Sequence, residues 1–356
     1  MAIQSYATDT PRIGKFKGRI LAHAEAKERL GKTGRQVPMP KNNSDTYVAR
    51  RFLPYGATAT NANTQNQFFQ TGNGDRSSAM IQANQIAEGV TPSPDSLIAV
   101  DVTVVLIQYG CLYGFTDKTF LLYEDDIPAE MVKQVGERVV LVNEQIIYGA
   151  LKASTNQYYG GAGTSIATVN GAITLGMVRK IVKNLQANHA EPITRVLSAS
   201  QNFDTSATPE GFVVYCNTDM EPDIRDLPNF TPAEKYASGK PMPYELGMCE
   251  RFRFVMSPDL PSLQNAGAAI GATGLYSTTG VSIDVYQFIV AAEDAWSQIA
   301  VRGRQSLETT YLEPGKKDKA DPLGQRGYAG TAWWKAVMVE NPGWMAVGNV
   351  GVKTLT

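Results

Sequence analysis

The chain has 356 residues, 43% apolar and 19% charged, with 33 Lys/Arg against 34 Asp/Glu and a net charge of −1. That length exceeds one typical domain and is ample for a buried core. The near-neutral balance argues against a generally basic nucleic-acid binder and against an acidic disordered chain.

The first 53 residues are basic, with eleven Lys/Arg against four Asp/Glu, a surplus of seven. Within them, FKGRILAHAEAKERL (16–30) predicts one short helix with Ile20, Leu21, Ala24 and Leu30 on a thin apolar face, stopped at Gly31 and Gly34. VPMPKNNSD (37–45) then reads as extended or turning chain. Such an arm cannot bury itself and needs a neighbour to lie on. Residues 54–100 carry four charges and are rich in Asn and Gln. A loop this long without its own core is functional or disordered.

DVTVVLIQYGCLYGF (101–115) predicts one long strand. The strongest periodic element follows. Asp126 is a good N-cap, and Pro128 sits in the first turn. Met131, Val135, Val139, Val142, Ile146 and Ala150 then form one apolar stripe, which predicts a helix over 127–153. At 1.5 Å per residue it spans roughly 40 Å, the length of a backbone spine. YYGGAGTS (158–165) breaks it, and Thr174 caps a second helix with Leu175, Val178, Ile181, Val182 and Leu185 at helical spacing. Residues 193–300 alternate short strands (RVLSAS, GFVVYCN, RFRFVMS, VYQFIVA) with proline-fragmented turns. TAWWKAVMVENPGWMAVGNVGVK (331–353) predicts two strands around Asn341-Pro342-Gly343.

Chemical motifs are sparse. Cys111, Cys216 and Cys249 are far apart with no CxxC pair, which argues against a disulfide framework or zinc knuckle and predicts free thiols. His23 and His189 are too few for a His-rich metal site. AKERLGKT (26–33) fits a loose phosphate-loop pattern through Lys32 and Thr33. Ala26 replaces its first glycine, however, and no buried strand precedes it; a basic helix end stopped by Gly31 is the better reading. GGAGT (160–164) lacks a lysine and reads as a linker. Asp125-Asp126 suits a helix cap, with Glu124 at the positive end of the dipole, better than a cation site. Trp333 and Trp334 adjoin in a strand and so face opposite ways, one to the core and one to an interface. The basic N-terminal run either touches phosphates, or is a solvated face or packs on acidic neighbours. No catalytic, cofactor or metal residue is assigned, and no cofactor is expected. No run of 18 or more apolar residues is present, so no membrane contact is expected. The N-terminus lacks the apolar core of a secretory signal, which predicts synthesis in the cytoplasm.

Several stretches carry a resemblance: FKGRILAHA (16–24), VPMPKNNSDTYVARRFLPY (37–55), AEGVTPSPDSL (87–97), VLIQYGCLYGFTD (105–117), the long helix, YELGMCERFRFV (244–255) and DPLGQRGYAGTAWWKA (321–336). In this order they resemble the major capsid proteins of tailed bacteriophages, in particular those of large podovirus-like phages and prophages. Residues 258–281 depart from the pattern. The resemblance implies an α+β shell fold in five stretches: an N-terminal arm (1–50), an extended loop (51–103) lying over a neighbouring subunit, a peripheral domain (104–171) with the spine helix, an axial domain (172–295) meeting its copies at five-fold and six-fold vertices, and C-terminal strands (296–356) returning to the peripheral domain. It implies no enzyme activity. The expected partners are further copies of the chain in pentamers and hexamers of an icosahedral head, portal, scaffolding or decoration proteins, and packaged double-stranded DNA in weak contact. The expected location is the virion, after synthesis in a bacterial host. With about fifty residues before the loop, no room is expected for the cleaved scaffolding segment that some members carry. The expected inter-subunit contacts are Arg50, Arg51, Phe68, Phe69, Trp333 and Trp334, and the expected inner-surface basic residues are Arg12, Lys15, Lys17 and Arg19. The alternatives are a bacterial nanocompartment shell of the same fold, against which the long arm speaks, and a nucleotide-binding enzyme using AKERLGKT.

Overall fold

The computed structural model describes residues 28–39, 44–54, 81–123 except 83, 93 and 95, 126–197, 205–236, and 241–355 except 272–273, 302–307 and 318–320. Most of the helix expected over 16–30 lies outside these residues. At its described end, Leu30–Lys32 form a single 3-10 turn, and strand β1 (Arg35–Met39) follows. Strand β2 (Thr46–Phe52) pairs antiparallel with β3 (Ala99–Val105) in a two-stranded ribbon. The expected boundary at residue 50 therefore falls inside a strand.

The single strand expected over 101–115 is two strands. Strand β4 (Ile107–Thr116) begins after Leu106, which is buried and whose amide donates to the Asp45 carbonyl at 2.9 Å. The break arises because β3 and β4 have different partners. β3 follows the ribbon, whereas β4 joins the distant strand at Arg326–Val339.

Thr116 caps helix α1 (Asp117–Leu122), its side chain accepting from the Thr119 amide. Asp126 caps the spine helix α2 (Ile127–Lys152), accepting from the Ala129 amide at 3.2 Å with Pro128 in the first turn. Then come β5 (Gln157–Tyr159) and α3 (Leu175–Ala187), the latter capped by Thr174. Strands β6 (Ile193–Leu197) and β7 (Thr205–Asn217) lead to the short helix α4 (Glu221–Arg225) and to β8 (Thr231–Pro232). β9 (Glu245–Cys249), β10 (Phe252–Ser257), β11 (Tyr286–Ala291) and β12 (Trp296–Val301) follow. β13 (Glu308–Leu312), β14 (Arg326–Val339) and β15 (Met345–Val350) complete the order.

Two large sheets result. The five-stranded sheet runs β1-β12-β14-β13, with β4 also on β14. The eight-stranded sheet runs β5-β15-β11-β7-β10-β9-β8, with β6 also on β7. In it β7/β10 and β5/β15 are parallel and the other pairs antiparallel. The two strands expected around Asn341-Pro342-Gly343 do not form a hairpin. β14 lies in the first sheet and β15 in the second, as do β12 and β11 respectively. The two crossovers run side by side: the amides of Glu340 and Asn341 both donate to the Ala295 carbonyl, and the Ala292 amide donates to the Trp344 carbonyl.

Strands β10, β11 and β15 are buried at every position. This is why their sequences are mainly apolar and not alternating; the polar Arg253, Gln287 and Asn349 are buried with hydrogen-bond partners. On one face Phe212, Val214, Phe254, Phe288 and Val290 meet Val178, Ile181 and Leu185 of α3. On the other face Val213, Tyr215, Val255 and Ile289 meet Ile147, Tyr148 and Leu151 of the spine helix.

The spine helix thus serves both sheets. Its first half sets Met131, Val135 and Val139 against Phe115, Cys111 and Trp333 of the five-stranded sheet. Its second half departs from the expected stripe: Ile147, Tyr148, Leu151 and the carboxylate-bearing Glu144 are buried, while Ile146 and Ala150 are only half-buried. The buried face rotates because the helix passes from one sheet to the other.

Val139 is 2% exposed beside Trp333 and Cys111. Val139→Asp is expected to destabilise the subunit by several kcal/mol, through an unpaired buried charge. Circular dichroism with urea titration checks this; a soluble variant with the wild-type midpoint would contradict the packing.

Candidate functional site

The surfaces left incomplete within the chain are the candidates for function. A two-stranded ribbon is at best marginally stable alone. Its inner face (Tyr47, Ala49, Val102 and Val104) packs with Trp334, Met338 and Met39 of the five-stranded sheet. Its outer face carries Val48, Phe52 and Val105, which are 53%, 62% and 50% exposed. Elsewhere Ile81, Ile86, Val90 and Leu97 are exposed, and α1 exposes Phe120, Leu121 and Leu122. Exposed apolar patches mark protein–protein contact.

Arg50 lies on the outer face and makes a two-pronged pair with Asp101 directly across the ribbon, at 2.8 and 2.9 Å. The pair raises the Arg50 pKa and lowers that of Asp101, chiefly through the hydrogen bond. It fixes strand register more than it stabilises the fold, because both groups are in water. Arg51 turns to the inner face, and burial pushes its guanidinium pKa down.

The adjacent tryptophans face opposite sides of β14. Trp333 is buried against the spine helix, stacked on Tyr109 at 6.0 Å, and its indole N–H donates to Asn143 Oδ1 at 3.0 Å. It is committed within the subunit and offers little surface to a neighbour, contrary to expectation. Trp334 is half-buried under the ribbon. Phe68, Phe69, Arg12, Lys15, Lys17 and Arg19 lie outside the described residues.

The phosphate-loop candidate is engaged in packing. The Thr33 hydroxyl shares a 2.6 Å hydrogen bond with the Tyr215 hydroxyl, and Lys32 lies over the Tyr244 ring. A strand follows this turn where a phosphate loop requires a helix. Gly34 passes so close under the Trp296 indole that a Cβ would sit 2.4 Å from the ring. The glycines at 160–161 likewise serve packing: a Cβ on Gly160 would lie 2.2 Å from the Gly171 carbonyl oxygen. Asp126 is a cap; Glu124 and Asp125 lie outside the described residues. Among the described residues no cluster of three His, Cys, Asp or Glu is placed to hold a metal ion, and no helix is long and apolar enough to cross a membrane.

Two buried polar groups escape the sequence reading. Arg253 and Glu245, both fully buried, form a two-pronged pair at 2.9 and 2.5 Å. The Tyr236 hydroxyl and the Met242 amide also donate to Glu245, so both carboxylate oxygens are satisfied. The second is Glu144. The sequence offered one signal for it: Glu144 sits three, four and seven residues before Ile147, Tyr148 and Leu151, on their face of the helix.

Residues 99–339, about two thirds of the chain, match the phage capsid protein family. The major capsid protein of Pseudomonas phage KPP21 is 23% identical over 262 residues, 68% of this chain. This chain spans 65% of the length of that relative. The capsid of Ralstonia phage GP4 shares the fold, with a TM-score of 0.63 at 11% identity over all of both chains. The head of Helicobacter pylori bacteriophage KHP40 gives 0.60 at 12% identity, covering 99% and 98% of the two chains. The fold is therefore the α+β fold of tailed-phage capsid subunits. The chain belongs to the phage capsid protein family.

All three cysteines are buried and free of disulfide within the chain, and burial raises each thiol pKa. Labelling by an aromatic disulfide reagent at pH 8 is expected to be slow in the native protein and to reach three thiols per chain after unfolding. Fast native labelling of Cys216 would contradict its burial.

Proposed function

We propose that the chain is a coat subunit that assembles with its own copies into pentamers and hexamers of an icosahedral head enclosing double-stranded DNA, and that it acts by assembly and not by catalysis. One observation carries this reading. A well-filled two-sheet body bears a ribbon whose outer face exposes Val48, Phe52 and Val105 beside the Arg50–Asp101 pair. Such a face gains stability only against another surface, and obligate interfaces commonly bury 2,000–5,000 Å² and more. In this reading the ribbon and residues 81–98 lie over a neighbouring subunit. The spine helix and five-stranded sheet form the peripheral part, and the eight-stranded sheet with α3 forms the axial part at the vertices. Portal, scaffolding or decoration proteins would complete the head, and the near-neutral wall would hold DNA weakly. The subunit would be made in the host cytoplasm and function in the virion.

Negative-stain microscopy of the expressed protein tests the reading. The wild type is expected to give closed shells or capsomers. Val48→Ser with Phe52→Ser, both on the outer face, is expected to change subunit stability by no more than about 0.5 kcal/mol while abolishing closed shells. Normal shells from a folded double variant would remove the ribbon from the contact.

A further inference from the structure

The turn at Leu30–Lys32 is held to the spine helix by more than apolar contact. Leu30 is fully buried among Ile147, Tyr215 and Trp296. The amide of Arg29 donates to the Glu144 carboxylate at 3.1 Å, and the amide of Leu30 donates to it at 3.2 Å. A side chain more than a hundred residues away thus satisfies the first N–H groups of the turn, as a cap residue does locally. The Ser257 hydroxyl donates to the same carboxylate at 3.4 Å. Glu144 is 1% exposed, and its donors among the described residues are two amides and one hydroxyl, all neutral. The Arg29 guanidinium points elsewhere, donating to the Met256 carbonyl at 2.6 Å and lying 4.1 Å over the Tyr244 ring.

We propose that Glu144 is a proton-linked clasp between the spine helix and the arm: docking the turn at 28–34 takes up a proton, so the arm is held more firmly in mild acid than above neutrality. This goes beyond the shell reading, because it concerns the folded subunit by itself.

The charged and titratable groups around Glu144 agree with this. Glu28 of the arm and Asp259 after β10 repel its charge, and Lys335 of β14 attracts it. Lys335 is itself buried, which lowers its own pKa. Tyr215 of β7 has its hydroxyl engaged with Thr33. On the spine helix, Gln145 and Tyr148 donate to the carbonyls of Asp259 and Pro261. Burial is the largest influence on Glu144 and lifts its carboxyl from 4.5 to about 6, against the pull of the two amides. With the turn lifted away, Glu144 faces water and returns toward the ordinary range. The docked state then binds the proton more tightly. The docking gain is complete below about pH 4.5 and is lost as pH rises through about 6, a change on the order of ten- to thirty-fold in the docking equilibrium. A protonated carboxyl still accepts an amide through its carbonyl oxygen, and its new O–H can donate to the Ser257 oxygen.

Hydrogen exchange on the subunit between pH 5 and pH 8, corrected for intrinsic rates, tests the clasp. In the wild type, protection of residues 28–34 is expected to fall about eight-fold from pH 5 to pH 7.5, while β10 and β11 stay protected. Glu144→Gln keeps an acceptor for the amides and an N–H in place of the carboxyl proton. It is expected to hold the turn at pH 7.5 as firmly as the wild type does at pH 5, with a flat pH profile. Glu28→Gln alters an exposed residue and removes one repelling charge, so the midpoint should move to lower pH. A flat wild-type profile, an unchanged profile in Glu144→Gln, or an unmoved midpoint in Glu28→Gln would overturn the proposal.

Discussion

The packing of one helix across two sheets is the contact on which the rest of the subunit depends. The spine helix brings Met131, Val135 and Val139 to the five-stranded sheet and Ile147, Tyr148 and Leu151 to the eight-stranded one. Fully burying a large apolar side chain stabilises by roughly 1.5–3 kcal/mol, so these six fix the two sheets relative to each other. The crossovers from β11 to β12 and from β14 to β15 add a covalent link at the same place, tied by the shared Ala295 carbonyl. Without the helix, neither sheet would cover the face it turns toward it.

Stability is distributed unevenly in consequence. The eight-stranded sheet is covered on both faces by α3 and the spine helix. Its strands β9 and β10 are pinned by the Arg253–Glu245 pair with Tyr236 and the Met242 amide. A buried pair of this kind adds little net stability over apolar packing, but removing one partner costs about 3–5 kcal/mol. It ties Tyr236 and Met242 to the start of β9. The ribbon lies at the other extreme. One of its faces is half-buried on the sheet, the other is in water, and its ladder and the Arg50–Asp101 pair hold its register. A rigid body with a weakly held apolar extension suits a protein whose final contacts come from its copies.

The arm joins this body at Glu144. The site combines a buried carboxylate, backbone donors from a distant segment and two further acids, with the partly desolvated Lys335 acting on it through charge alone. If docking is linked to the Glu144 proton as proposed, the turn at 28–34 responds to pH, whereas the apolar contact of Val139 with Trp333 carries no titratable group.

The sequence by itself determined what depends on local order. Asp126, Pro128 and the Met131–Val135–Val139 spacing set where the spine helix begins and which face it buries first. Thr174 and the 178–181–185 spacing did the same for α3, and the apolar stretches FVVYC and YQFIVA marked strands, which the structure covers on both sides. The alternation rule put Trp333 and Trp334 on opposite faces. Only the tertiary structure decided which partner each segment takes. Leu106 ends one strand because β3 and β4 pair with different elements, although DVTVVLIQYG reads as continuous. β14 and β15 part company for the same reason, each finding its neighbour in a different sheet. The burial of Glu144, and of Arg253 with Glu245, was hidden because each is satisfied by groups that become neighbours only once the chain folds: amides 114 and 115 residues away for Glu144, and a facing strand for the ion pair. Periodicity records how deeply a residue is buried along one element, whereas pairing is chosen among segments far apart in the chain, where hydrogen-bond geometry and shape decide and local spacing carries no record of the choice.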